Sequence, residues 1–303
     1  MKKTVFLISL PIFVFANFFT FKPIAITEDI SCFIGDYNPV QKSNQGFVSN
    51  VCYIDIGESL VLLDSGATYN FAKDLNTVIE KRTGKKITHL VVTNYHDDRL
   101  LGASFFKERG VQIIGGKNMP EMIEEHADKY VRVLKKLPND LIKGTKVVQP
   151  DVVVADEYVI KGSKKSIKVI KPSEATQSST DLIVYSKSDS FIFTGNTIFN
   201  GRFVNYAEDS NIDEWIKALQ KIEKLNTKYV MGGHGDDFSK TSYKSTLEYL
   251  VMLREQVKVA YEKDIDPADL SKNIHTDKFK SIPHYDELYM RNARNYYNQL
   301  EWQ

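Results

Sequence analysis

Apolar residues along the first half of this chain alternate between two rhythms. Residues 51–56, 60–63 and 87–92 are short, β-branched and almost continuously apolar, the pattern of strands covered on both faces. Between them, residues 69–83 carry apolar side chains at helical spacing, entered through the turn Asp64-Ser65-Gly66. The alternation continues with a predicted helix over 100–109 and a strand over 111–114. Recurring strand, helix and strand predict a layered α/β architecture.

The period then changes. Residues 119–137 predict a charged amphipathic helix, in which His126 reads as a surface residue rather than a ligand. Segments 151–154, 157–160, 164–171, 181–185 and 191–194 read as strands joined by short turns, which implies a second sheet. Residues 211–225 predict a helix with Asp213 and Glu214 in its first turn, and 228–231 a strand leading into Gly232-Gly233-His234-Gly235. The rest is helical and ends in an aromatic-rich stretch, 285–302. No internal repeat or low-complexity tract breaks the pattern.

With 303 residues, 42% of them hydrophobic, the chain is long enough to bury a large core. Met1-Lys2-Lys3, an apolar stretch to Phe15 and then Ala16 predict a secretory signal over residues 1–16, and a domain over 26–303. The aromatics Phe18, Phe19 and Phe21 prolong the stretch, but Asn17 and Thr20 interrupt it, so cleavage is favoured over an anchor and no stable membrane span is expected afterwards. Losing Lys2 and Lys3 leaves 38 basic against 39 acidic side chains, a balance that gives no reason to expect nucleic acid as a partner. The expected location is periplasmic or secreted. Cys32 and Cys52 could pair in such a compartment or stay two small buried hydrophobes, and the sequence leaves both open.

Chemistry concentrates in Thr93-Asn94-Tyr95-His96-Asp97-Asp98-Arg99, a loop following a predicted strand, where functional side chains commonly sit. It resembles the H-x-H-x-D-H loop of the metallo-β-lactamase fold superfamily. Three further segments match in order: Asp64-Ser65-Gly66 resembles the family's D-T-G turn, the stretch from Phe193 to Phe199 its F-T-G-D segment, and Gly233-His234-Gly235 its late G-H-G turn. The resemblance runs from about Ser49 to Phe238 and implies an αβ/βα four-layer sandwich. Gly46-Phe47-Val48-Ser49-Asn50 and the tail Asn295–Glu301 resemble exported members associated with quinoprotein and sulfur-oxidation systems.

The resemblance also implies two metal positions, and here the sequence departs from it. One would use positions 94, 96 and 177, occupied by Asn94, His96 and Gln177; the other would use 98, 99, 196 and 234, occupied by Asp98, Arg99, Asn196 and His234. Amides offer zinc only a neutral oxygen, and a guanidinium presents donors alone. Arg99 is therefore expected to repel a second cation and offers a partner to Asp98. His96, Asp98 and His234 remain as ligands for at most one Zn²⁺. Two readings follow. In the first, a metal-dependent hydrolase-like protein uses a metal-bound hydroxide, with Asp98 as the catalytic carboxylate, on a small-molecule ester, amide or thioester. In the second, a non-catalytic periplasmic protein uses the old cleft to bind a ligand or partner chain. Tyr95 and Asp97 flank the loop and could line a pocket; His89 reads as structural, His275 and His284 as exposed.

Overall fold

A computed structural model of the protein describes residues 18–302. The predicted signal, residues 1–16, lies outside them. Two sheets face one another. The first has strand order β1 (Ile24–Ala25), β2 (Ile30–Phe33), β3 (Val51–Asp55), β4 (Leu60–Leu63), β5 (Ile87–Val91), β6 (Gln112–Gly116) and β7 (Val152–Val154), antiparallel as far as β4 and parallel beyond it. The second holds β8 (Glu157–Lys161), β9 (Ser166–Ile170), β10 (Ile183–Ser186), β11 (Phe191–Phe193) and β12 (Tyr229–Met231), with β11 and β12 parallel.

The continuously apolar strands are explained by the layers. On β4, Leu60 and Leu62 pack outward against helices while Val61 and Leu63 face the opposing sheet; Val51 and Tyr53 on β3 likewise face out, Cys52 and Ile54 in. A strand whose alternate side chains both meet apolar layers has no polar face to show. Outside the first sheet lie α1 (Tyr69–Thr83), α2 (Asp97–Leu100), α3 (Ala103–Lys107), α4 (Met119–Glu125), α5 (Ala127–Leu134) and α6 (Asn139–Ile142); outside the second lie α7 (Ile212–Leu225), α8 (Lys244–Glu262) and α9 (Tyr285–Glu301). This is the expected αβ/βα sandwich.

Caps bound the helices. Thr68 caps α1, its hydroxyl accepting from the Phe71 amide at 3.1 Å, and Gly84 ends it at φ +69°. Asn211 caps α7 through the Glu214 amide at 3.0 Å. Cys32 and Cys52 stand opposite each other on antiparallel β2 and β3 and form a disulfide.

Three elements differ from expectation. The helix over 100–109 is broken into α2 and α3 at Gly102, whose amide donates to the Gly66 carbonyl at 2.9 Å. A side chain there would stand 2.0 Å from the Ser65 carbonyl oxygen, so the Asp64-Ser65-Gly66 turn can press against this point only because it is glycine. The helix over 119–137 breaks at His126, where the ring turns inward against Tyr95, with centroids 4.7 Å apart. His126 is thus half-buried and not a free surface residue. Residues 152–154 join the first sheet through β6 instead of opening the second. The packed chain also begins before residue 26: Phe19 and Phe21 contact Phe71 edge-on, and the Phe18 amide donates to the buried Asp74 carboxylate at 2.7 Å. Among the described residues no helix is long and apolar enough to cross a membrane.

Candidate functional site

The chain's substituted loop and its later segments meet at one sandwich edge, where β4, β5, β11 and β12 all end. Asp64 follows β4, Thr93 to Arg99 follow β5, Asn196 follows β11 and His234 follows β12; Gln177 comes from the segment before β10. Asn50 holds the last turn in place: its amide nitrogen donates to the carbonyls of Gly232, at 3.0 Å, and Gly235, at 2.7 Å. Trp215 of α7 fixes the preceding turn by donating to the Thr197 carbonyl at 2.8 Å.

Arg99 is the centre of the arrangement, and its guanidinium is fully buried. Its Nη1 donates to Asp64 Oδ2 at 2.5 Å, and its Nη2 faces Asn196 Oδ1 at 2.5 Å, the Gly233 carbonyl at 3.2 Å and His234 Nε2 at 3.3 Å. The expected pairing with Asp98 is not formed. Arg99 turns inward from α2 toward Asp64, while Asp98 keeps its carboxylate at the cleft, 4.0 Å from His234 Nε2. A side chain at Gly233 would stand 2.3 Å from Arg99 Nη2, so the glycine leaves the room the guanidinium occupies. Burial pushes the Asp64 carboxyl up from its ordinary range, against the pull of Arg99 and of the Thr93 amide.

Because a guanidinium only donates, it orients everything around it. Asn196 must turn Oδ1 to Arg99, which leaves its Nδ2 facing His96 Nδ1 at 3.2 Å and Gln177 Oε1 at 3.4 Å. His96 Nδ1 is therefore an acceptor and the proton of the neutral ring sits on Nε2. His234 Nδ1 lies 2.8 Å from the Val48 carbonyl, which can only accept, so the proton is on Nδ1 and Nε2 receives Arg99. Both imidazoles are held neutral. Burial first, then nearby cations, keep both pKa values well below the ordinary histidine range; Lys129 is the largest of those cations at His96 and Arg202 at His234.

The remaining predicted positions complete the network. Asn94 Nδ2 donates to Gln177 Oε1 at 3.1 Å and to Asp181 Oδ1 at 2.5 Å, while Asn94 Oδ1 accepts from the His96 amide at 2.9 Å. Asp181 also accepts from Thr176 and Ser178, and burial pushes its carboxyl up to about 6. The structure thus gathers all seven singled-out positions, 94, 96, 98, 99, 177, 196 and 234, into one site. Two buried polar atoms in it lack partners, Arg99 Nε and Gln177 Nε2.

These residues do not fit the metal pair that the fold implies. The lone pairs a metal would need, His96 Nδ1 and His234 Nε2, are engaged by Asn196 and Arg99, and a permanent cation stands between Asp64 and His234. Among the described residues no group of three or more His, Cys, Asp or Glu side chains is placed to hold a metal ion.

Above this floor lies a cleft of about 220 Å³ whose walls include His96, Asp98, Lys129, Lys136, Arg202 and His234. Asp97 lines it too, its carboxyl pushed up to about 6 by burial and by Asp98. Tyr95 is buried and lines an adjoining hollow, where its hydroxyl donates to Asp209 at 3.2 Å; burial and Asp209 push its phenol well above the ordinary range. Asp64, Arg202, Lys129 and Lys136 carry no ligand signature and were missed as site residues. A lone basic residue in a turn or on a charged helix looks in sequence like any solvated surface position. His284, expected exposed, is half-buried, its Nε2 lying 3.1 Å from the Tyr37 carbonyl; His275 is exposed.

Comparison with known proteins is consistent with this geometry. The family model described as the metallo-beta-lactamase superfamily matches residues 44–234. Curated relatives include the metallo-beta-lactamase type 2 of Elizabethkingia meningoseptica, 22% identical over 71% of this chain and 80% of the relative. That of Bacillus cereus is 26% identical over 64% and 70%. Among solved structures, the metallo-beta-lactamase from Pontibacter korlensis superposes with a TM-score of 0.62 at 18% identity, covering 77% of this chain and 99% of that one. The DIM-1 metallo-beta-lactamase gives 0.60 at 16% identity, covering 76% and 97%.

Proposed function

Since the chain belongs to the metallo-beta-lactamase superfamily, we propose that it is a member of this hydrolase-like family whose metal centre has been replaced by a fixed internal cation. It uses the remaining cleft to bind a small molecule. The observation that carries this reading is the Arg99 guanidinium bonded to Asp64, Asn196 and His234. A buried cation there disfavours a second one electrostatically, and the histidine lone pair it takes up is the one zinc would use.

The single-metal hydrolase is the rival, and one observation favours it. Asp98 turns a carboxylate without a hydrogen bond toward the cleft beside His234. For His96, Asp98 and His234 to ligate together, Arg99 would have to release His234 and Asn196 would have to release His96. That would cost at least two charge-assisted or amide hydrogen bonds in a buried site, on the order of 2–4 kcal/mol before any metal bond forms.

Elemental mass spectrometry on protein purified without chelator, then titrated with Zn²⁺, decides between the two. No tightly held zinc is expected. One zinc per chain, lost in His234→Ala, would replace this reading with the single-metal hydrolase. The combined substitutions Asn94→His, Arg99→His, Gln177→His and Asn196→Asp are expected to create zinc binding absent from the native chain. We also infer export: residues 1–16 have the composition of a secretory signal, and the Cys32–Cys52 disulfide suits an oxidising compartment.

A further inference from the structure

Among the described residues, some lysines find a carboxylate and others stand alone at the surface. Lys85 meets Asp55, Lys164 and Lys165 meet Asp29, and Lys217 meets Glu214, all at 2.6 or 2.7 Å. Three cations without such a partner converge on the cleft. Arg202, Lys129 and Lys136 all line it, and among the described residues the charged end of none of them takes part in an ion pair or hydrogen bond. Lys129 has only the Tyr95 ring, its ammonium 5.7 Å from the centroid. Arg202 is half-buried, and its Nε is fully enclosed without an acceptor.

The enclosed Nε has no acceptor, and a polar group in that position costs free energy until something satisfies it, while the rest of the guanidinium faces the cleft. Asp97 and Asp98 act on these cations only from beyond ion-pair distance, so neither supplies a hydrogen bond. In the cleft itself three cations face two carboxylates, a local surplus of one positive charge, while the adjoining hollow sets Arg291 against Glu208 and Asp209. That surplus matches a monoanion. A planar guanidinium fork further suits the two oxygens of a carboxylate.

The body of such a ligand has a place to go. The cleft shares His96, Lys129 and Asn205 with the adjoining hollow of about 290 Å³, whose other walls include Tyr95, His126, Asp209 and Asn295. Those walls present phenol, imidazole, carboxylate and amide groups, which suit hydroxyls better than hydrocarbon. We infer that the cleft is a binding site for a small hydroxylated carboxylic acid, its carboxylate held by Arg202 with Lys129 and Lys136 and its hydroxyls lying toward Tyr95 and Asp209. This deepens the binding reading above, and it stands or falls separately from the absence of a metal.

Isothermal titration calorimetry of the purified protein tests it, with glucuronate as the probe, glucose as its uncharged counterpart and inorganic phosphate as the competing oxyanion. Saturable glucuronate binding is expected, with none for glucose. Arg202→Ala should weaken it by about tenfold or more, the loss of one charge-assisted bidentate contact. The double variant Lys129→Gln with Lys136→Gln should weaken it as well, whereas Arg254→Ala, on α8 and paired with Asp213, should leave it unchanged. Thermal unfolding of each variant shows whether it is folded. No heat with glucuronate at millimolar concentration, unchanged binding in folded Arg202→Ala, or tighter binding of phosphate than of glucuronate would each overturn the assignment. Zinc measured in the same sample reports on the metal-free reading alone: glucuronate binding with zinc present would sink that reading and leave this site standing.

Discussion

The floor of the cleft and its mouth hold the same kinds of residue and treat them in opposite ways. At the floor, Arg99 is sealed from solvent and bonded to Asp64, Asn196, the Gly233 carbonyl and His234. At the mouth, Arg202 lines the same cleft as Lys129 and Lys136, and among the described residues none of the three has a protein acceptor. A cation whose partners are supplied by the fold holds the fold together. One whose partners are missing is left for a ligand. On the proposed reading, the interior of the site serves structure and its rim serves recognition.

The largest effect that would break this contrast lies at the floor. Arg99→Met keeps the volume and leaves Asp64 as a buried carboxylate without its cation, which should cost about 3–5 kcal/mol in urea unfolding. A loss below about 1 kcal/mol would mean that the pair contributes little and that the floor is not what orders this edge of the sandwich.

The floor's proton inventory offers a second test. His96 and His234 are held neutral with depressed pKa values, so below the unfolded pKa of about 6.5 the unfolded chain binds protons that the folded chain refuses. Their contribution to stability is present above that pH and is lost as pH falls through it. Asp97 and Asp181, raised to about 6, act with the opposite sign: between roughly 4 and 6 the folded chain binds their protons first, and stability falls as pH rises through that window. Asp64, also raised by burial, joins the second set, so the carboxyls oppose the rise in stability with pH that the histidines give between about pH 4 and 6, while site-resolved NMR should show both imidazole rings uncharged at pH 6. Charged rings at that pH would contradict the tautomers deduced from Arg99. Asn196→Asp sharpens this, because a carboxylate beside His96 Nδ1 replaces a donor with an acceptor and should move the His96 titration upward.

The smallest expected change in stability is at the mouth. Arg202→Ala removes no protein hydrogen bond and should shift unfolding by no more than about 0.5 kcal/mol. A loss approaching that of Arg99→Met would erase the distinction between floor and mouth.

Much of this protein was legible from its residues. The doubly apolar runs 51–56, 60–63 and 87–92 read as strands between covered layers, and the helical spacing over 69–83 gave α1 its bounds, because both patterns are set by neighbours a few positions away. The ordered segments Asp64-Ser65-Gly66, Asn94 to Arg99, Phe193 to Phe199 and Gly233-His234-Gly235 meet at one edge of the fold, and Gln177, reached by spacing, lies beside Asn94 there. Where the reading departed from the structure, the deciding contact was distant in sequence. The break at Gly102 is set by Ser65, and the inward turn of His126 by Tyr95.

What the chain determined alone, then, is which groups could not bind a metal: an arginine donates and an amide is a weak ligand wherever the fold puts them. Which groups they would bind instead was settled by tertiary structure. Arg99 and Asp98 are neighbours in sequence, yet Arg99 pairs with Asp64, 35 positions away, because the loop enters a short helical turn that sends one side chain inward and leaves the other at the cleft. The same holds for Arg202, whose lack of any partner is a property of the finished cavity and of no stretch of sequence.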